Sequence, residues 1–235
     1  MREFNLLQDL PQSTEPRIVS PTTRTIKNRI IASEREGEFY DGDRNNGYGG
    51  YEYDGRWNPV AGRIIKEYNI ENYDNILHVG SDKGFLLYEL HNRNDNLYLN
   101  GIEVSDYAFD HTIDETYHAI RKQDSFREIP SIDHVFDFII AIGPVYSLSL
   151  PDAINLLKEI QRTGKGKSFI TLGAFETEEE ERLFRQWTLL GTTILSKDDW
   201  REVLEHVGYT GDYWFNTAKT LNLIEEYDRL SELHE

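Results

Sequence analysis

The chain contains no cysteine among its 235 residues. This absence excludes disulfide bonds, thiolate zinc sites and a cysteine nucleophile. The sequence also lacks any uncharged apolar run of about eighteen residues, the length that a membrane-spanning helix needs. Its first residues have no sustained apolar segment of the kind found in secretory leaders. We therefore expect a cytoplasmic protein with no membrane partner.

Basic residues are scarce relative to acidic ones. The chain has 25 Lys and Arg against 42 Asp and Glu, which gives a formal net charge of -17. Surfaces that bind nucleic acids use clustered cations, so this balance argues against a DNA or RNA partner. The seven histidines show neither His-x-His nor His-x-x-x-His spacing. No dedicated metal site is therefore predicted.

The composition divides the chain into three parts. Residues 1–38 are predicted to be an N-terminal extension, because the first 24 are polar, carry three prolines and show no period, while 25–37 suit a short helix. Residues 39–218 are predicted to be the main domain, beginning with a loop rich in glycine and aromatic residues at 39–57. Residues 219–235 are predicted to be an acidic, helical tail.

Within the main domain, apolar strands alternate with amphipathic helices. Strands are predicted at 75–79, 97–103, 117–121, 136–142, 167–174, 191–195 and 209–215. Helices are predicted at 59–68, 84–91, 105–112, 151–162, 177–188 and 197–207. This pattern predicts the α/β class, with a mainly parallel sheet of about seven strands and helices on both faces.

The most informative segment is the strand at 75–79 with the turn that follows it. The turn contains Gly80 and Gly84 and leads directly into a helix, and the next strand ends in Glu103. A tight turn can present backbone amides to a ligand, and an acid at the end of the next strand can accept hydrogen bonds from both hydroxyls of a ribose. The segment therefore predicts a nucleoside-binding site.

The order of these elements and motifs resembles class I S-adenosylmethionine-dependent methyltransferases over roughly residues 39–215. The resemblance implies a Rossmann-like methyltransferase fold, S-adenosylmethionine as the cofactor, and a small molecule as the methyl acceptor. It also implies a set of cofactor-binding residues, ordered here from the methionine end to the ribose, the adenine and the pocket wall: Gly80, Ser81, Asp82 and Gly84, then Glu103 with Val104, then Asp124 with Ser125, and Gly143.

Two positions depart from the family pattern. His78 stands where the family has an acid, and Asp82 stands where it has the middle glycine of the turn. A methyltransferase-fold protein that binds or regulates without catalysis is therefore a second interpretation. A third interpretation is an NAD-dependent enzyme in which Glu103 holds the adenosine ribose. The glycine spacing of the turn disfavours this interpretation, because it does not read Gly-x-Gly-x-x-Gly.

The segment Gly47-Tyr-Gly-Gly-Tyr-Glu-Tyr-Asp-Gly-Arg-Trp57 is similar to a GYGGYxYDGRW segment of a bacterial methyltransferase subgroup. The subgroup suggests O-methylation of a sugar or a nucleotide-linked biosynthetic intermediate. Aromatic rings offer stacking faces, and a guanidinium offers a fork for a carboxylate or phosphate. Substrate contacts are therefore expected from Tyr48, Tyr51, Tyr53, Arg56 and Trp57. The alternative is an aromatic cover that packs without touching a ligand.

The catalytic residue is the least determined part of the site. The subgroup has a histidine shortly after its fourth strand, whereas this chain has Tyr146 there. Tyr146 is the candidate for orienting or deprotonating the acceptor, although a phenol with a pKa of about 10 is a poor base. A tyrosine that only packs is the alternative, and a homodimer is left open.

Overall fold

The computed structural model describes residues 1–11 and 14–226. Its strands are β1 Arg2–Glu3, β2 Arg17–Val19, β3 Asn75–Val79, β4 Tyr98–Glu103, β5 Ile120–Lys122, β6 Phe138–Ala141, β7 Ser168–Phe175, β8 Leu195–Ser196, β9 Asp212–Asn216 and β10 Leu223–Glu225. Its α-helices are α1 Ile26–Glu34, α2 Gly37–Tyr40, α3 Asn58–Glu67, α4 Phe85–Arg93, α5 Asp106–Asp110, α6 Pro144–Ser147, α7 Leu150–Thr163, α8 Glu178–Trp187 and α9 Lys197–His206.

The main sheet has the strand order β1-β9-β7-β6-β3-β4-β5, with β8 paired to the end of β7. Every pairing that the structure describes in this sheet is parallel. The order from β5 to β9 is that of a doubly wound sheet. After β3 the chain adds β4 and β5 on one side, and it then returns to add β6, β7 and β9 on the other side. A crevice therefore opens at the carboxyl ends of β3 and β6.

Helices cover both faces of the sheet. Successive side chains of a strand point to opposite faces, so neighbouring residues of β3 join different clusters. Ile76 of β3 and Phe138 of β6 belong to one buried cluster with Val60 of α3. Leu77 of β3 belongs to a second cluster, which includes Trp200 of α9. The predicted α/β class, with a parallel sheet and helices on both faces, is confirmed. Among the described residues, no helix has the length and apolar character to span a bilayer.

The N-terminal segment differs from the predicted loose arm. Strand β1 pairs with β9 at the edge of the main sheet, and β2 pairs with β10 in a separate two-stranded sheet. Leu6 is fully buried in the cluster that contains Val60 and Ile64 of α3. These strands have two or three residues, too few to show an alternating pattern, so only tertiary pairing reveals them.

Burial of Leu6 predicts that the first residues are needed for stability. The Leu6→Ala variant is expected to lose about 2 to 5 kcal/mol of the free energy of unfolding, because it leaves a cavity in a packed core. Urea unfolding followed by circular dichroism measures this loss. The matched control is Ile132→Ala, because Ile132 is 75% exposed and its truncation should change stability by about 0.5 kcal/mol or less. An equal effect of both substitutions would contradict the packing of Leu6.

Several predicted boundaries are corrected. The helix expected at 25–37 is interrupted after α1, where Arg35 has a left-handed φ of 54°. The strand expected at 117–121 begins with a 3₁₀-helix, Asp114–Ala119, and only then becomes β5. The helix expected at 219–235 is wrong at β10, which is a strand. The end of that predicted tail, residues 227–235, lies outside the described residues.

Candidate functional site

A cavity of about 340 Å³ lies at the carboxyl ends of β3 and β6. Five of the predicted site residues line this cavity: Tyr48, Gly80, Asp82, Gly143 and Tyr146. Phe126 also lines it. The crevice of a parallel sheet is the expected place for a ligand. We therefore take this cavity as the candidate functional site.

The turn after β3 is shaped by close packing. Gly80 has a φ of 74°, and a Cβ atom there would lie 2.7 Å from Cγ of Pro144. The backbone N–H groups of Gly80 and Ser81 both donate to the carbonyl of Ile102, at 2.9 and 3.1 Å. The expectation that these amides face a ligand is therefore wrong, since they hold the turn against β4. The turn presents bare backbone and the side chain of Asp82 to the cavity.

Ser81 and Gly84 lie behind this wall. Ser81 is 2% exposed, and its Oγ has no hydrogen-bond partner. Gly84 begins α4 with a φ of 79°, and a Cβ there would lie 2.5 Å from Oγ1 of Thr116. Both residues therefore position the turn, and direct contact with a cofactor stays a prediction for them.

Asp82 takes the position of the family's middle glycine. Its φ is 48°, a left-handed conformation that aspartate tolerates better than most residues. Its carboxylate accepts hydrogen bonds from the hydroxyls of Tyr40 at 3.0 Å and Tyr48 at 3.3 Å. Burial, followed by the negative charge of Glu103, raises the pKa of Asp82. The charge of Arg35, which lines the same cavity, opposes part of this increase. The cavity therefore contains a carboxylate whose charge a further cation would stabilise.

Glu103 is 1% exposed at the end of β4. Its carboxylate accepts three backbone N–H groups: those of Asp82 at 2.8 Å, Val104 at 2.7 Å and Ser105 at 2.8 Å. Burial raises the pKa of Glu103, and these hydrogen bonds oppose the increase. A carboxylate has about four acceptor positions, so about one stays free for a ligand. Glu103 thus joins the turn to β4, and its contact with a ribose stays a prediction.

In the segment after β5, Phe126 lines the cavity in place of the predicted Asp124 and Ser125. Asp124 is exposed, and Oγ of Ser125 accepts the backbone N–H of Arg127 at 3.2 Å. Phe126 is the residue of this segment that lines the cavity. Cζ of Arg35 lies 5.6 Å from the centre of its ring. Sequence reasoning missed Phe126 because a single phenylalanine in a loop carries no positional signal.

The aromatic loop packs into a continuous stack. The ring centres of Tyr48 and Tyr51 are 4.5 Å apart, and those of Tyr51 and Phe85 are 5.0 Å apart. Tyr40 lies beside Tyr48, with ring centres at 5.6 Å. Sequence reasoning missed Tyr40, although its position at the start of this loop was a usable signal. The stack fixes the hydroxyls of Tyr40 and Tyr48 on Asp82.

The other predicted substrate residues lie outside the walls of this cavity. Tyr51, Arg56 and Trp57 line an adjoining cavity of about 510 Å³. The guanidinium of Arg56 pairs with Asp54 at 2.6 Å, so its fork is already bound to a carboxylate. The hydroxyl of Tyr53 donates to Oε1 of Glu89 at 2.6 Å, which raises the pKa of Tyr53 to about 12. For these four residues, substrate contact stays a prediction.

Tyr146 lines the cavity from α6. Burial raises the pKa of Tyr146, although a hydrogen bond with Asn216 opposes the increase. A phenol with a raised pKa stays protonated at neutral pH, so it donates a hydrogen bond rather than accepting a proton. Its environment suits orientation of an acceptor, and its catalytic assignment stays a prediction.

His78 lies inside the sheet, in register with Gly101 and Ile140. It is 4% exposed, and neither ring nitrogen has a hydrogen-bond partner. Burial lowers the pKa of His78 to about 4. The imidazole is therefore neutral in the folded protein at neutral pH, and it does not supply the charge of the acid that the family has there.

This buried histidine predicts an acid-sensitive fold. Because its pKa is lower in the folded chain, stability is fully present above the unfolded value and falls as pH decreases from about 6.5 to 4, by up to roughly 3 kcal/mol. The His78→Leu variant should lack this part of the decline. Urea unfolding at a series of pH values measures it, with exposed His118→Leu as the control. A decline of wild-type size in His78→Leu would refute the assignment.

No family model and no curated protein matches the chain. Solved structures do. The YcgJ protein of Bacillus subtilis aligns with a TM-score of 0.51 and 15% identity, over 63% of this chain and 66% of that one. BH2331 of Bacillus halodurans, assigned as a methyltransferase, aligns with a TM-score of 0.50 and 12% identity, over 63% of this chain and 68% of that one.

A third similar structure is phosphoethanolamine N-methyltransferase 2 of Haemonchus contortus, in complex with phosphomonomethylethanolamine and S-adenosylhomocysteine. It aligns with a TM-score of 0.51 and 14% identity, over 76% of this chain but only 42% of the Haemonchus chain. The chain has the Rossmann-like methyltransferase fold. The alignments span less than half of the Haemonchus chain and about two thirds of the two bacterial proteins.

Proposed function

We propose that the chain is an S-adenosylmethionine-dependent methyltransferase that acts on a small molecule. One observation carries the proposal: Asp82 and Glu103 lie together at the crevice of this fold, and neither makes an ion pair with a described lysine or arginine. When bound, S-adenosylmethionine supplies an activated methyl group and carries positive charge. A buried carboxylate pair with raised pKa values suits such a cationic ligand.

The residues of the crevice would divide the binding. Asp82 would face the cationic part, while Gly80 and Gly143 allow close approach of the ligand to the backbone. Glu103, with Val104 beside it, would accept hydrogen bonds from the ribose. Phe126 offers an apolar face to the adenine, and Asp124 with Ser125 would border that end of the pocket.

The acceptor that we propose is an oxygen of a sugar or of a nucleotide-linked biosynthetic intermediate. Tyr48 and Tyr146 line the cavity. Their hydroxyls would orient the acceptor by hydrogen bonds. Because Tyr146 stays protonated, a hydroxyl acceptor would release its proton to another group or to water. An ionised acceptor oxygen would need no base.

Calorimetric titration tests the proposal, with S-adenosylhomocysteine, S-adenosylmethionine and NAD as separate ligands. We expect calorimetry to show binding of one S-adenosylhomocysteine per chain. In a separate fluorescence titration with NADH, we expect no change in the nicotinamide signal. Methyl transfer is then followed by mass spectrometry against a panel of sugars and sugar nucleotides. Binding of NAD without binding of S-adenosylhomocysteine would overturn the proposal.

A second candidate is a binding or regulatory protein without catalysis. The raised pKa of Tyr146 and the neutral His78 favour it, because neither residue supplies a general base or an anion. Tight binding of S-adenosylhomocysteine, together with no methyl transfer to any panel member or cell extract, would support this second candidate over the enzyme.

A further inference from the structure

Four arginines line the same cavity as Asp82: Arg17, Arg24, Arg35 and Arg44. Arg35 lies over the ring of Phe126, and its charge opposes the increase in the pKa of Asp82, so the cluster that stands apart from the carboxylates is Arg17, Arg24 and Arg44. They come from three separate segments, namely β2, the turn before α1 and the loop after α2. In the part of the chain that the structure describes, none of the three makes an ion pair. Acidic residues outnumber basic ones by 42 to 25 in this chain. Three arginines without a carboxylate partner are therefore an unusual cluster here.

Each guanidinium is fixed by backbone carbonyls. Nη1 of Arg17 donates to Leu221 at 3.2 Å, and Nη1 of Arg24 donates to Trp187 at 2.6 Å. Nη1 of Arg44 donates to the carbonyl of Gly47 at 2.7 Å. A guanidinium has five N–H donors, so these bonds position each group and leave other donors for a ligand.

The ring of Trp187 supports two of these groups. Cζ of Arg24 lies 5.0 Å from the ring centre, and Cζ of Arg17 lies 5.8 Å from it. The bond from Arg24 to the Trp187 carbonyl also caps the carboxyl end of α8, a structural role that helices favour for cations. That role explains where Arg24 lies. It does not explain Arg17 and Arg44, whose carbonyl partners belong to loops.

The charges of the cluster repel one another. Burial, followed by the charges of Arg44, Arg17 and Arg29, lowers the pKa of Arg24 to about 10. Burial and the charge of Arg44 also lower the pKa of Arg17. An anion between these groups would relieve the repulsion. A phosphate monoester carries close to two negative charges and three acceptor oxygens, whereas a carboxylate carries one charge, so phosphate matches three arginines better.

We propose that Arg17, Arg24 and Arg44 form a site that binds a phosphate group of the methyl acceptor. The role of this site in methyl transfer rests on the proposed function. The acceptor is then a phosphorylated or nucleotide-linked compound, anchored at the arginines so that its reacting oxygen lies near Tyr48 and Asp82. The net charge of -17 repels anions from the rest of the surface. Selection for phosphate therefore depends on this cluster.

Calorimetry with inorganic phosphate, pyrophosphate and acetate at low ionic strength tests the site on the full-length protein. We expect saturable binding of one phosphate, and acetate weaker by at least about tenfold. Arg17→Gln and Arg44→Gln are each expected to weaken phosphate binding by at least about tenfold, because each loses one charge-assisted contact. Arg121→Gln, at an exposed arginine of β5, removes the same charge and should leave binding unchanged.

Thermal unfolding verifies that each variant folds, and S-adenosylhomocysteine binding is measured on the same samples. Tighter binding of pyrophosphate than of phosphate would indicate a nucleotide-diphosphate acceptor, and the reverse a phosphate monoester; both support the site. Absence of phosphate binding, equal binding of acetate, or wild-type phosphate binding by both folded variants would overturn it. Phosphate binding that needs Arg17, without any S-adenosylhomocysteine binding, would overturn the proposed function while the anion site stands.

Discussion

The Glu103→Ala variant is expected to lose at least about a hundredfold in affinity for S-adenosylhomocysteine, because a site built to accept hydroxyl hydrogen bonds loses its acceptor. It is also expected to lose about 3 to 5 kcal/mol of the free energy of unfolding. The carboxylate accepts the backbone N–H groups of Asp82, Val104 and Ser105, and its removal leaves these buried donors unpaired, at about 1 to 3 kcal/mol each. Loss of its repulsion with Asp82 offsets part of that cost. Calorimetry and urea unfolding measure the two losses.

The control for this substitution is Glu128→Ala, because Glu128 is exposed and its ion pair with Arg127 is long, at 3.8 Å. Glu103→Gln provides a second variant if the alanine variant does not fold. Its single carbonyl oxygen can still accept backbone N–H groups of the turn, but the variant lacks the charge and the second acceptor that both ribose hydroxyls need. Wild-type affinity for S-adenosylhomocysteine in a folded Glu103 variant would refute the predicted ribose contact. Wild-type stability would refute its role in holding the turn.

The Asp82→Asn variant is expected to bind S-adenosylhomocysteine at least about tenfold more weakly, since the amino group of that ligand loses a charged partner. The same substitution should raise the melting temperature of the free protein at neutral pH. Asparagine keeps hydrogen-bonding capacity toward Tyr40 and Tyr48 but removes the repulsion between two buried carboxylates. Opposite effects on binding and on stability distinguish a ligand-binding carboxylate from a structural one.

The pH dependence of stability gives a second measurement on Asp82. Burial and the charge of Glu103 raise the pKa of Asp82 to about 7. Because the pKa is higher in the folded chain than in the unfolded one, the contribution of Asp82 is fully present below about pH 4 and is lost as pH rises through 7. Thermal unfolding of Asp82→Asn should lack this loss. The exposed Asp124→Asn variant is the control, and identical profiles for both variants would contradict the raised pKa.

Much of the fold could be predicted from the sequence because its signals are local. Continuous apolar strands such as β3 and β6, alternating with amphipathic helices, require a parallel sheet that is buried on both faces. Helix α3 is another example, since Pro59 suits its first turn. The nucleoside-binding prediction also came from local order, namely a strand, a glycine turn and an acid at the end of the next strand. These features specify the crevice without knowledge of distant contacts.

The sequence alone therefore determined the α/β class, the position of the crevice and the acids Asp82 and Glu103 beside it. Only the tertiary structure decided what faces the cavity. It turned the amides of the turn toward Ile102 and placed Arg17, Arg24 and Arg44 in the cavity wall. The physical reason is that these arrangements depend on contacts between residues far apart in the chain. Composition and periodicity report only neighbours along it.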